Sequence, residues 1–458
     1  MNDSKKKSPL NNKNPYYINF KENEKQFDGR SGRVRRSLNT KKNLDRIVQE
    51  RKKKALEDSQ KSSEIEQEIK IIAPTRRRIH TTPTIQFSSW LRGENYGVKH
   101  KADSLIFYIA LLLVAIGLVM VYSSSSYKAL LESGTPALYF TKQFKFMLIG
   151  LVGMWIAFKL PIALTEQFAI HGFILSVGML LAVMAFGKNV DGATRWIEIG
   201  GTQFTPSDIT KLFGIIFFAQ FLRGYNMKKI SVRDYFIVLV VFAILPGLIV
   251  IEDLGTGVTL AGALFVMMVL SGVPVRYLGW TIGGGIGAVL LAIIIEPYRV
   301  NRIIGFMDPF SSENIASGGW QLVQSLYAFA SGGLFGSGLG NGGQKLLYLP
   351  AMHTDFIFSV YAEEMGFIGS VFLLLLFVAF VIRGLMIANQ LQNSYMSLVA
   401  AGLTSVIGIQ ALINISVTVG VFPVTGITLP FISYGGTSLI VMMTIVGFLL
   451  NLSQYTKK

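Results

Sequence analysis

YLPAMHTDFIFSVYAEEMGFIG, residues 348–369, is where a polar, glycine-rich stretch runs into an apolar one. Beyond it the chain continues SVFLLLLFVAFVI, residues 370–382, without a single charge. A bilayer-spanning helix needs about 20 apolar residues, so Phe356–Ile382 predicts a membrane span and makes the fold a question of how many more there are. Asp355 stands at its threshold. A carboxylate at that depth needs a reason, and two are open. Thr354 or Asp355 caps the helix, or Asp355 is a base facing a substrate. His353, Thr354 and Asp355 do not form a hydrolase triad, because neighbours on a chain point in different directions.

Outward from this stretch, further apolar runs lie at about Leu105–Ser124, Phe144–Leu160, Phe168–Phe186, Ile209–Leu222, Tyr235–Ile251, Gly255–Ser271, Leu278–Ile295, Leu398–Val419 and Ser433–Leu452. With Phe356–Ile382 they make about ten spans, so the fold class is an all-α polytopic membrane protein. The composition agrees. Of 458 residues, 51% are hydrophobic and 15% charged, against about 25% charged in soluble domains.

The charge is unevenly placed. Residues 1–103 hold runs such as Lys5-Lys6-Lys7, Arg51-Lys52-Lys53-Lys54 and Arg76-Arg77-Arg78, with little apolar periodicity. Such a segment does not bury enough surface to fold alone. It reads as a basic, disordered cytoplasmic tail against anionic membrane lipids, with room for a short helix around Asn43–Ala55. The membrane domain then covers 104–458. The net charge of +16 therefore belongs to a tail, and nucleic acid is not expected as a partner. With no cysteine, disulfides and thiol chemistry are excluded. Four histidines without clustering argue against a zinc site. No cleavable signal sequence is expected, since the first apolar run begins at Leu105.

Lysine and arginine near span ends orient the chain. With the tail inside, Lys159, Arg223, Lys228, Lys229, Arg233, Arg276, Arg383, Lys457 and Lys458 fall inside. Lys142, Lys145, Lys188, Arg195, Arg299, Arg302 and Lys345 fall outside, and so many outside cations suggest an anionic substrate. Two outside loops are unusual. One is Gly187–Ser207. The other, Glu296–Thr354, is long enough to be functional; it carries a possible interfacial helix around Trp320 and then the glycines 332–340, which either pack or approach a ligand.

Other polar residues at depth have two readings each. Arg195 is an interface anchor or a diphosphate clamp. Lys211 is a snorkelling lysine or a phosphate ligand facing a cavity. Asp253 is a helix cap, and Glu252 pairs with a cation such as Arg195 or Lys211. Glu363 lies near the Asp355 face of its helix and Glu364 about 100° away. The segment Pro423–Ser438, with Ser433, breaks helix twice with proline and forms a pocket wall.

The segments GATRWIEIGGTQFTPSDITK, EDLGTG, GGLFGSGLGNGGQKLLYLPAMHTDFIFSVYAEEMGFIG and PVTGITLPFISYGGTSLI, in that order, resemble the signatures of the SEDS family of bacterial cell-wall proteins (FtsW/RodA/SpoVE). The resemblance runs from Leu105 to Leu452 and is nearer the division and sporulation branches than the elongation branch. It implies a ten-helix peptidoglycan glycosyltransferase that polymerises lipid II in the cytoplasmic (inner) membrane, at the division septum, with both termini cytoplasmic. Asp355 falls on the family's essential aspartate, the general base towards the acceptor GlcNAc 4-hydroxyl. Arg195, Lys211 and Lys345 are candidates for phosphate, and Glu252, His353, Thr354 and Ser433 complete the candidate substrate site. No protein metal site is implied, although a divalent cation (magnesium or manganese) on the diphosphate fits. Implied partners are a class B penicillin-binding protein transpeptidase and other divisome membrane proteins. A lipid II flippase and a non-catalytic divisome scaffold are the competing readings; polar groups gathered at one side favour chemistry there. The chain departs from the family pattern at Ala351, where a glutamate is usual, at Asp208 in place of glutamate, and at Glu252-Asp253, which lacks the usual proline.

Overall fold

The computed structural model describes residues 46–54, 96–190, 193–199, 202–312, 319–346 and 348–457; at 188–190, 193–195, 199 and 202 it describes the backbone alone. The chain divides into two units, 1–84 and 85–458. In the first, residues 46–54 form an exposed helix, where the sequence left room for one. The second unit is the helical membrane domain.

Its ten long helices are α1 (Ser104–Ser133), α2 (Leu138–Lys159), α4 (Ala169–Phe186), α5 (Pro206–Arg223), α6 (Val232–Glu252), α7 (Leu254–Leu270), α8 (Val275–Ile295), α11 (Ile357–Gln390), α12 (Ser394–Thr418) and α13 (Gly436–Ser453). Shorter helices lie between them: α3 (Ile162–Gln167), α9 (Pro297–Met307) and α10 (Trp320–Gly332). Seven of the ten are long and apolar enough to span a membrane. Of the others, α5 carries Asp208, Lys211 and Arg223, α2 carries three lysines, and α7 has 17 residues. The ten helices coincide with the ten expected runs. Most bounds shift by a few residues. The larger shift is in α1, which continues through its serines because Ser125 Oγ donates to Val121 O at 2.6 Å, keeping a polar side chain satisfied inside the helix.

Helices α12 and α13 form the centre, with 72% and 78% of their apolar windows buried, whereas α8 has 11%. Small residues let helices approach closely, as expected where apolar burial against lipid gives little drive. A Cβ on Gly447 of α13 would collide with Met154 O of α2, and one on Gly117 of α1 with Phe431 O. Asn451 of α13 ties the same interface by donating to Ala157 O and Leu160 O at 3.0 and 2.6 Å.

The connection after α4 is a three-stranded antiparallel sheet, β1 (Lys188–Val190), β2 (Ala193–Ile199) and β3 (Thr202–Phe204), in the order β1-β2-β3. This small sheet was not foreseen in the loop sequence. The helix expected around Trp320 exists as α10, but it packs on protein: Ser325 Oγ meets Ser359 Oγ of α11 and donates to Thr418 O of α12, both at 2.6 Å.

At the end of the bundle away from Asp355, polar side chains lock the ends of the helices. Arg223 pairs with Glu166, which also accepts from Tyr96 Oη at 2.7 Å. Arg383 Nε donates to Asp103 Oδ2 at 2.8 Å.

Candidate active site

Asp355 lies on a turn, residues 351–356, that enters α11. The N-cap position of α11 falls on Phe356, one residue past Asp355. The turn is held by backbone. Ala351 adopts φ 55°, and its carbonyl accepts from the Thr354 and Phe356 amides at 3.1 and 3.3 Å and from Thr354 Oγ1 at 3.2 Å. Ala351 thus stands in left-handed backbone, unusual for a residue with a Cβ.

Three outside groups pin the turn. Asn414 Nδ2 of α12 donates to Asp355 O and to Ile427 O, both at 2.7 Å. Ser433 Oγ donates to Thr354 O at 2.6 Å and accepts from the Leu429 amide at 2.8 Å. The Tyr434 amide donates to His353 O at 2.8 Å. The irregular segment 420–435 therefore satisfies its own backbone partly through the Asp355 turn, which makes non-helical chain tolerable at this depth. Ser433, a candidate substrate ligand, spends its hydroxyl on this clamp and is 5% exposed. His353 is buried between the Tyr139 and Tyr434 rings, at centroid distances of 4.8 and 5.7 Å. Burial and the Lys128 ammonium hold its imidazole down to about 4. Thr354 and Asp355 remain half-buried.

Two of the three expected phosphate ligands, Lys211 and Lys345, are paired within the chain. Lys211 neither snorkels nor faces a cavity. It is 1% exposed, pairs with Asp208 Oδ1 at 2.8 Å one turn earlier and donates to Gln410 Oε1 at 2.8 Å. Lys345 is also buried and donates to Glu364 Oε1 at 3.2 Å, and Ser123 of α1 donates to the same carboxylate at 2.6 Å. Both ammonium groups are matched by carboxylates of this chain. The Arg195 backbone lies on β2; its side chain is outside the described residues. Glu252 does not pair with Lys211. It is 5% exposed, and its Oε1 has no hydrogen-bond partner. Asp253 caps α7, accepting from the Gly255 and Thr256 amides at 3.0 and 3.3 Å.

Glu363 and Glu364 organise the glycine loop. Glu363 Oε1 accepts from the Gly343 amide at 2.8 Å, and Oε2 from the Gln344 amide at 3.2 Å. Gly366 has φ 69° and breaks α11. Through that break the Ser337 and Gly338 amides reach Glu363 O and Glu364 O at 2.9 and 3.0 Å, and the Phe367 amide reaches Gly333 O at 2.9 Å. A Cβ on Gly332 or Gly336 would strike Ala362 O or Glu364 O, so packing is the use of these two glycines.

The 420–435 segment also borders an apolar cavity of about 800 Å³ between α6, α7 and α8. Leu239, Phe242, Phe265 and Ile286 line it, with Val424 and Thr425 at its rim and Arg299 and Arg302 at the α9 end. Arg299 is committed to structure: it donates to Val250 O, Ile251 O and Ala292 O at 2.9–3.0 Å, meeting carbonyls left open at the ends of α6 and α8. Arg302 Nη1 donates to Val424 O at 3.3 Å. The sequence had offered both arginines only as outside cations. Their place on a cavity depended on α9, which the reading did not foresee. Among the described residues no three His, Asp or Glu side chains converge on a metal position.

Residues 103–458 match the family model for cell cycle proteins of the FtsW/RodA/SpoVE type. The chain belongs to the FtsW/RodA/SpoVE family. It is 36% identical over 364 residues to the probable peptidoglycan glycosyltransferase FtsW of Coxiella burnetii, covering 78% of this chain and 97% of that one. It is 38% identical over 363 residues to the stage V sporulation protein E of Bacillus subtilis, covering 78% and 99%. Two solved structures are similar. One is the rod shape determining protein RodA of Thermus thermophilus, with TM-score 0.59, 26% identity and coverage of 78% and 98%. The other comes from a study of polymerisation and crosslinking by a peptidoglycan synthase complex, with TM-score 0.64, 26% identity and coverage of 77% and 97%. Within this family member, the residue missed by sequence reasoning is Asn414, while Arg299 and Arg302 were expected only as outside cations. An asparagine amid the apolar run 398–419 was the available signal for Asn414, since a buried amide must find partners.

Proposed function

We propose that Asp355 is the general base with which this peptidoglycan glycosyltransferase polymerises lipid II during septal wall synthesis. The carboxylate takes the proton of the acceptor GlcNAc 4-hydroxyl as that oxygen attacks C1 of the donor MurNAc. The C1–O bond to the diphosphate breaks, undecaprenyl diphosphate leaves, and the proton returns to water from Asp355. The observation that carries this reading is the triple pinning of the Asp355 turn by α12 and by the 420–435 segment, whose Val424 and Thr425 line the apolar cavity. A fixed base held by the same segment that walls a lipid-sized space fits a lipid-borne acceptor. Arg302 at the cavity and Arg195 on β2 supply positive charge for the leaving diphosphate. A divalent cation enters, where needed, on the diphosphate as part of the substrate.

We infer that the protein sits in the cytoplasmic membrane with both termini inside and Asp355 at the outer face, working with a class B penicillin-binding protein transpeptidase. The two units of chemistry, polymerisation and crosslinking, are named together for the complex whose structure this chain resembles. The test is polymerisation of labelled lipid II by the purified protein with its cognate transpeptidase. Wild type makes polymer, and folded Asp355→Asn makes none. Equal polymer from both overturns the base role, and lipid translocation without polymer favours a flippase.

A further inference from the structure

We propose that Lys128 and Lys142, on either side of Tyr139, form a second phosphate site at the Asp355 end of the bundle, holding the diphosphate of the acceptor lipid. This rests on the reading of Asp355 as the base. Joining two lipid-borne sugars requires two diphosphates to be held at once, with the base between the sugars. The cavity beside α8 accounts for one lipid. The turn that carries Asp355 has a second flank, and that flank is basic.

The geometry is as follows. Lys128 lies near the end of α1 and Lys142 near the start of α2, and their Nζ atoms stand 5.8 and 6.0 Å from the Tyr139 ring centre. That ring packs on His353 at 4.8 Å and on Tyr434 at 5.1 Å, so the two cations reach within one aromatic layer of the Asp355 turn. Lys128 also acts electrostatically on the His353 imidazole. The acidic group at this rim is Glu132. It lies 3.8 Å from Lys128 and accepts from Tyr139 Oη at 2.6 Å, which leaves its charge shared. Lys142 is exposed and makes no ion pair among the described residues. Lys145, also exposed, stands one turn further along α2, where i and i+3 are neighbours.

An apolar track runs down from these lysines. Tyr122 of α1 meets Phe140 of α2 edge-on at 5.8 Å, Phe140 stacks on Phe144 at 6.2 Å, and Phe144 and Leu148 are exposed. A lipid with its phosphates on Lys128 and Lys142 can lay its chain on this surface. The two flanks are joined by one segment: Val424 and Thr425 border the cavity, and Tyr434 abuts Tyr139. Between them Asn414 ties Ile427 to Asp355. The half-buried Arg302 end suits the donor, whose leaving group gains charge in the transition state. The exposed lysines suit the acceptor, whose diphosphate keeps its charge throughout.

The test is a lipid II titration by the transpeptidase complex in nanodiscs of phosphatidylcholine, with Lys128→Gln/Lys142→Gln and Lys128→Arg/Lys142→Arg. The glutamine pair is expected to raise the half-saturating lipid II concentration about tenfold while the rate at saturation falls less than twofold. The arginine pair restores the wild-type curve, because both phosphate-binding cations return. An unchanged half-saturation point in phosphatidylcholine overturns the proposal. So does an effect of the glutamine pair confined to discs containing phosphatidylglycerol, which would make the rim a reader of bulk lipid headgroups. Failure of the underlying base reading looks different: Asp355→Asn would then polymerise like wild type whatever the lysine variants do.

Discussion

Asn414 holds Asp355 by its backbone carbonyl. Its amide donates at 2.7 Å to the Asp355 carbonyl and at 2.7 Å to that of Ile427, so one side chain of α12 fixes the turn carrying the base against the wall of the pocket. Replacing Asn414 with leucine leaves two carbonyls to find new partners. The expected cost is about 3 kcal/mol, with a polymerisation rate at least tenfold lower at saturating lipid II. Thermal unfolding in detergent and a lipid II polymerisation assay read the two effects.

Lys345 and Glu364 form a buried pair whose worth lies in its completeness. Lys345→Met strands the Glu364 carboxylate and is expected to destabilise the protein by about 3–5 kcal/mol. The double change Lys345→Met/Glu364→Gln recovers most of that loss, since no charge is left unpaired. A double-mutant cycle of melting temperatures checks it; additive losses would mean the two side chains do not act together.

Gly336 and Gly178 predict opposite outcomes for the same substitution. Gly336 has φ 81°, and a Cβ there would meet Glu364 O. Gly336→Ala is therefore expected to cost about 2–3 kcal/mol or to displace the loop. Gly178 sits in α4 with nothing within 4 Å of a Cβ, so Gly178→Ala is neutral or stabilising by up to about 1 kcal/mol. Melting curves of the two variants decide it.

His353 gives stability a pH slope. Burial holds its imidazole down to about 4, below the ordinary value near 6.5. Above pH 6.5 it is neutral folded and unfolded, and no dependence arises. As pH falls from 6.5 towards 4, the unfolded chain takes up a proton that the folded chain refuses, so stability declines. Between pH 7.5 and pH 5 the loss is about 2 kcal/mol. His353→Phe flattens that part of the profile, measured as melting temperature against pH.

The spans were legible because their signal is additive: about 20 apolar residues in a row outweigh any one polar residue. The Asp253 cap was legible for a local reason, since its partners are two and three residues away. The pairing of Lys211 was half legible, because Asp208 lies one turn earlier on the same helix. Its other partner, Gln410, lies 199 positions further on, and no periodicity reports a contact of that range. The same holds for Lys345. Its place at the end of a long loop suggested a free cation, and only the break at Gly366 brings the loop back onto Glu364. Asp355 stood out because it was anomalous; Asn414, which holds its turn, looked like an ordinary polar residue, and Ser433 was expected to meet substrate, not to clamp the turn.

The break at Gly366 divides α11 into unequal parts. The short part bears the turn with Asp355 and is stitched to the glycine loop; the long part, to Gln390, is the membrane rod. When a bilayer thickens or thins, a spanning rod answers by tilting. Here the glycine loop is bonded on both sides of the break, to Glu363 O and Glu364 O above and to the Phe367 and Ile368 amides below, so a change of tilt reaches the Asp355 turn through the loop as well as along the helix.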